Sequence, residues 1–202
     1  MPDNSTQPLL HPPFPPLRRR EFHWTARVVL DSWAGFQSRL GAYASTSSNT
    51  ASDGTVRLSV AAVDGAATPT PEQAAAFEYL LANQNAVRDT LVAAIVEEYP
   101  LLRDNVLAGG IVDEVEMPEL TSPDDLKARV GLAVVHVLQT AKDGVAYTGF
   151  EFGCTWDDEH GLGVMMHRNR VIEFPENGVG KVNGADLASE EWLAEEDAKM
   201  RG

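Results

Sequence analysis

Asp157, Asp158, Glu159 and His160 follow one another in the chain, with His167 beyond them and His136 upstream. Carboxylates and an imidazole at this density are the material of a metal site or of general acid–base catalysis. A metal ion needs its ligands at roughly 2.0–2.6 Å. If residues 163–167 form a strand, that strand carries His167 about 13 Å from the turn at the usual rise. His160 and His167 therefore cannot share one ion. Calcium held by the carboxylates alone stays open, but the spacing lacks the alternating ligands and closing Glu of an EF-hand. The expectation is no metal and no cofactor, with Asp157, Asp158, Glu159 and His160 as the candidate ligands should one bind.

Glu159 and His160 are also the candidates for an acid/base pair, since neighbours on a turn can converge. The favoured alternative is that both fasten the turn through hydrogen bonds to backbone groups. Cys154 falls on the apolar parity of its strand, which makes it a small buried residue rather than a nucleophile. His136 lies in an apolar run and is expected as a neutral, hydrogen-bonded core histidine. No G-x-S-x-G, phosphate-binding glycine loop or dinucleotide fingerprint occurs.

The elements that must position these groups begin with residues 145–156. Ala146, Thr148, Phe150, Phe152, Cys154 and Trp156 occupy one face at a period of two, opposite Val145, Tyr147, Gly149, Glu151, Gly153 and Thr155. That alternation predicts a strand packed on a core. The acidic turn closes at Gly161, 163–167 resumes an extended run, and Arg168-Asn169 offers a second tight turn through the left-handed tolerance of Asn. With 171–174 this makes a three-stranded antiparallel meander.

The chain of 202 residues has a formal charge of −14 and one cysteine. Such acidity argues against nucleic acid, whose phosphates are bound by Lys and Arg; it is compatible with a basic protein partner, though the favoured reading is that it only keeps the protein soluble. A single cysteine allows no intrachain disulfide and suits the cytoplasm. No apolar run of about 18 residues exists, so no membrane span is expected, and the start lacks a signal-peptide pattern.

Residues 1–21 form a Pro-rich segment, with six of the twelve prolines and the Arg18-Arg19-Arg20 run. Proline this dense predicts a flexible, extended lead-in. Residues 24–31 and 56–63 alternate as strands, and the polar 44–54 between them reads as a loop. Thr70-Pro71-Glu72-Gln73 is a helix start with a capping box, and apolar spacing continues the helix to Tyr99. Pro100 should end it, and Gln84 interrupts the stripe near Asn83 to Asn85. Residues 104–121 are an excursion with room for an edge strand. Ser122-Pro123 starts a short helix, and 132–138 is apolar enough to be a central strand. Residues 189–202 are an acidic tail with a helix start at Ser189.

Tyr147-x-Gly149-Phe150-Glu151-Phe152, followed by Cys154-x-Trp156-Asp157-x-Glu159-His160-Gly161-x-Gly163-Val164, resembles the signature of a bacterial family classed only as domain of unknown function 6985. The likeness continues through His167, Asn169-Arg170, Val171 and Gly184-Ala185-Asp186, and more loosely back to Trp33, the long helix and Leu126. It spans about residues 22–188. The resemblance brings no activity with it; its members look like small bacterial proteins, some in the style of immunity proteins.

The expected architecture is a single α+β domain over 22–188: an antiparallel sheet of five or six strands with the 71–99 helix across one face. The expected function is a non-catalytic, immunity-like protein-binding module. The alternative is a metal-dependent or acid/base hydrolase using the Asp157 to His160 turn.

Overall fold

The computed structural model describes residues 7–40, 46–62, 66–110, 114–115, 117–157 and 161–173. Seven strands form one sheet: β1 (Arg18–Arg19), β2 (His23–Val29), β5 (Thr55–Ala61), β6 (Val130–Lys142), β7 (Val145–Cys154), β8 (Leu162–His167) and β9 (Arg170–Glu173), in that spatial order. A separate hairpin pairs β3 (Gln37–Leu40) with β4 (Thr46–Ala51). The fold is α+β, and the sheet is larger than expected and mixed. All its pairs are antiparallel except β5 with β6. A parallel pair cannot close through a tight turn, and here the helix α1 (Pro71–Ala108) lies on the connection between its strands.

The apolar parity of β7 holds. Ala146, Phe150, Phe152 and Cys154 join the main core with Val135 and Val137 of β6, Val164 and Met166 of β8, and Phe77, Val87, Leu91 and Ile95 of α1. The other parity of β7 is buried as well: Tyr147 packs with Leu138, Met165 and Ile172 in a second cluster on the face turned from α1. β6 occupies the centre of the sheet, as its continuous apolar run predicts.

α1 starts as its sequence dictates. The Thr70 hydroxyl accepts from the Gln73 N–H (3.2 Å), and the Gln73 side chain accepts from the Thr70 N–H (2.9 Å). The completely buried Gln73 amide also donates to the carbonyls of Ala61 (2.8 Å) and Leu138 (3.1 Å). The break falls at Asn83, where φ −123° and ψ 20° leave the helical region. Beyond it, the Gln84 side chain accepts from Ser32 N–H and Arg88 donates to the Ser32 carbonyl. Gln84 thus interrupts the apolar stripe because it holds the short 3-10 turn Asp31–Trp33.

Several expectations are corrected. The helix runs through Pro100 to Ala108. Pro100 is exposed, so the carbonyl that loses its N–H partner there can turn to water. Flanking residues also hold the next segment: Tyr99 donates to the Pro118 carbonyl and Arg103 to that of Met117. Within 104–121, the described residues show the end of α1 and irregular chain rather than a strand. The polar stretch 46–51 is strand β4, paired with β3. The β3 backbone lies against β6 at Gly131, where a Cβ would run into the Gln37 carbonyl.

The proline-rich start is also docked from residue 7 on, against the expectation of a flexible lead-in. Leu9 and Leu17 bridge, Phe14 stacks on Phe77 with ring centroids 4.9 Å apart, and Leu17 is fully buried. Proline disfavours helix and ladder, yet it leaves open the short Leu9–Leu17 bridge and the burial of the apolar residues between the prolines. In the β8–β9 turn it is Arg168, not Asn169, that takes positive φ (54°). The expected tail at 189–202 lies outside the described residues.

Candidate functional site

The residues that bring acid, imidazole and guanidinium together are not those of the turn. Cross-strand register on the face turned from α1 places Arg27 (β2), Arg57 (β5), Val134 (β6), Glu151 (β7) and Gly163 (β8) in one row. A bulge in β6 between Leu132 and Val134 sets Val134 against Glu151. The next row holds Thr25, Ser59, His136 and Gly149. Because the partner of His136 on β7 is a glycine, its ring has room to lean across the strand. His136 Nε2 meets Glu151 Oε2 at 2.9 Å, and Arg57 Nη2 lies 3.7 Å from Glu151 Oε1. The Glu151 side chain is 4% exposed, and that of Arg57 is 53% exposed.

This cluster satisfies itself. The hydrogen bond to Glu151 orients the imidazole, as a carboxylate does in a hydrolytic triad, and Ser59 faces His136 from the neighbouring strand. No hydrogen bond joins Ser59 to His136 among the described residues. A serine in the middle of a strand also lacks spare backbone N–H groups for an oxyanion, since the ladder consumes them. What the arrangement does is hold a buried carboxylate between two donors. His136 is therefore buried and hydrogen-bonded as expected, with a carboxylate as its partner.

Of the sequence candidates, Asp158, Glu159 and His160 lie outside the described residues. Asp157 is half-buried, and its carbonyl accepts from Gly161 N–H (3.2 Å) and from Cys154 Sγ (3.5 Å). Burial pushes the Cys154 thiol up to about 12, so it stays protonated. Trp156 is buried, edge-on to Tyr99 at 5.5 Å.

His167 is fixed elsewhere: its Nε2–H donates to the carbonyls of Lys142 (3.0 Å) and Val145 (3.3 Å), and its ring packs on Tyr147. Burial holds its pKa below the usual histidine range, against the opposing pull of those carbonyls. It clasps the β6–β7 turn at Asp143-Gly144, where both residues take positive φ. His136 and His167 thus serve separate partners. Among the described residues no three His, Cys, Asp or Glu side chains gather as a metal site.

Sequence reasoning missed Glu151 and Arg57. The available signal was that Glu151 is the only charged residue between Val145 and Trp156, with glycine on either side at the same parity. Arg57 had no local signal, because its partner lies in a distant strand. No curated protein and no solved structure matches the chain. The model of the family described as Domain of unknown function (DUF6985) matches residues 37–182, and the chain belongs to that family.

Proposed function

We propose that this chain is a non-catalytic protein-binding module, immunity-like in action, of the bacterial cytoplasm. The observation that carries the reading is the outer face of β1, β2 and β5. Arg18, Arg27 and Arg57 are exposed there beside Val29, which is 56% exposed. Phe22, just before β2, is a 69% exposed aromatic at the end of the same strands. Arginine and aromatic side chains are what protein interfaces enrich. The buried Glu151–His136 pair supports the same reading, because the Glu151 carboxylate is taken up by His136 and Arg57. The formal charge of −14 favours a partner that is basic overall, drawn in at long range.

The test is to isolate the full chain from its source cells with any stoichiometric protein partner, beside Glu159→Gln and His160→Asn variants. The expected result is one protein partner, retained by both variants and inhibited when bound. Absence of a partner, together with turnover of ester or phosphoester substrates that Glu159→Gln abolishes, would overturn the reading in favour of a hydrolase.

A further inference from the structure

The outer face of β1, β2 and β5 is arranged against electrostatic economy. Arg27 and Arg57 stand directly opposite one another in the antiparallel β2–β5 pair, a placement in which like charges repel. Arg18 lies across from Thr25, two residues before Arg27, and therefore on the same face. All three arginines are exposed. The chain has 30 acidic residues against 16 basic ones, so carboxylates to neutralise this face are not scarce. Arg57 reaches only the buried Glu151, at 3.7 Å, which already serves His136. Arg27 makes no hydrogen bond or ion pair among the described residues. Its nearby carboxylate, Asp53, is held by the Thr55 N–H at 2.8 Å; that hydrogen bond chiefly, and the Arg27 charge in small part, hold its carboxyl below the usual range.

Resting on the protein-binding reading above, we infer that this face receives an acidic, extended segment of the partner. Each guanidinium offers a planar fork of N–H donors that matches a carboxylate. Adjacent strands lie about 4.8 Å apart and alternate residues of one strand about 6.6 Å apart. Arg27 and Arg57 are thus one strand step apart and Arg18 lies on the diagonal from Arg27 at about 7–8 Å, separations that long arginine side chains can close onto carboxylates at alternating positions of one extended peptide. The hydroxyls of Thr25 and Ser59 lie on the same face, and Val29 offers an apolar contact beside them.

The net charge does not oppose this docking at contact. At physiological ionic strength screening acts over about 8 Å, so the local arginines decide what seats there while the net charge acts only on approach. Nucleic acid fits less well. Its affinity grows with the number of phosphates neutralised, and this face offers three cations with the exposed Glu21, Asp31 and Asp53 close by in sequence.

The experiment uses the full chain and fluorescent ten-residue probes: an alternating Glu-Thr peptide, an alternating Gln-Thr peptide and oligo-dT. The Glu-Thr peptide is expected to bind, more weakly as salt rises. Arg27→Glu should reduce that affinity at least tenfold, and Arg18→Glu with Arg27→Glu further, both at an unchanged melting temperature. The Gln-Thr peptide should not bind. Equal binding of the two peptides, an Arg27→Glu variant that binds as well as the parent, or tighter binding of oligo-dT would each overturn the inference. A cellular partner that stays on the doubly substituted chain would also overturn it while leaving the protein-binding reading intact. Peptide binding that follows the arginines, with no protein partner in cells, would support the face and sink the reading.

Discussion

On β6, β7 and β8, His136, Glu151 and His167 turn away from α1, buried and engaged: His136 with Glu151, Glu151 with Arg57, and His167 with two carbonyls of a hairpin. On β1, β2 and β5, the same face of the same sheet presents Arg18, Arg27 and Arg57 to solvent. A buried ionisable group must be paired to be tolerated, so its presence in the first flank is explained by the fold. An exposed charge has no such constraint. Two arginines set directly opposite each other in the second flank are a choice that folding does not require. Charge in one flank is structural, and charge in the other is available for recognition.

The largest test of this contrast lies in the buried flank. Trp156→Ala should cost about 3–5 kcal/mol, since it removes a buried indole from Tyr99. A loss under about 1 kcal/mol in equilibrium denaturation would mean that this end of β7 is not part of the core. Phe14→Ala should cost about 3 kcal/mol, near the lower end for a buried phenylalanine, because the lead-in carrying it can partly collapse onto Phe77. A neutral result would return the proline-rich start to the status of a dispensable tail.

Glu151→Ala should destabilise by about 1–3 kcal/mol, the cost of leaving the buried His136 donor unmatched. Arg57 adds little to that figure because it is half in water and can be solvated. If urea denaturation found Glu151→Ala harmless, the cluster would not be structural and the contrast between the flanks would fail.

His167 supplies a pH test of the same flank. Its folded pKa lies below the ordinary value, so the folded state prefers the neutral ring. The stability it contributes is full above the unfolded pKa of about 6.5 and is lost as pH falls towards and through the folded value. Urea midpoints at pH 7.5 and 5.5 should therefore fall more steeply in the parent than in His167→Gln, which cannot titrate. Parallel slopes would show that burial at this site does not disfavour the charged ring.

The smallest effect belongs to the exposed flank. Arg27→Thr should leave stability unchanged or raise it by a few tenths of a kcal/mol, by removing a like-charged neighbour of Arg57. A clear loss in denaturation would assign Arg27 a structural part and remove the distinction.

What could be read from the residues was whatever local periodicity and capping encode. Alternation along 146–156 located β7 and its buried face, Thr70 and Gln73 located the start of α1, and Gln84 marked the neighbourhood of the Asn83 break. The β4 stretch carries no apolar period because it pairs only within a small hairpin, so its polar residues read as loop. Pro100 looked like a terminus because its penalty is local, whereas the tethers from Tyr99 and Arg103 to the 117–118 segment are not. The Glu151 cluster showed only its lone charge, for the same reason: bulge, glycine and register bring its partners together, and only the assembled sheet defines them. The candidate turn at Asp157 was legible as a cluster of groups but not as a geometry.

Gln73 sets an order on how the molecule assembles. Its amide joins the carbonyl at the end of β5 to that of Leu138, 65 residues ahead in the chain, and does so only when β5 and β6 already lie side by side. Closing so long a loop carries an entropic cost that local hairpins avoid. The β6–β7–β8–β9 meander, made of neighbours in sequence, can form while β2 and β5 wait as a separate hairpin. The parallel junction is then expected to form last, with the Gln73 amide at the start of α1 bridging the two strands once they meet. Slowed refolding with little change in unfolding rate, for substitutions at the β5–β6 seam, is the kinetic signature such an order would leave.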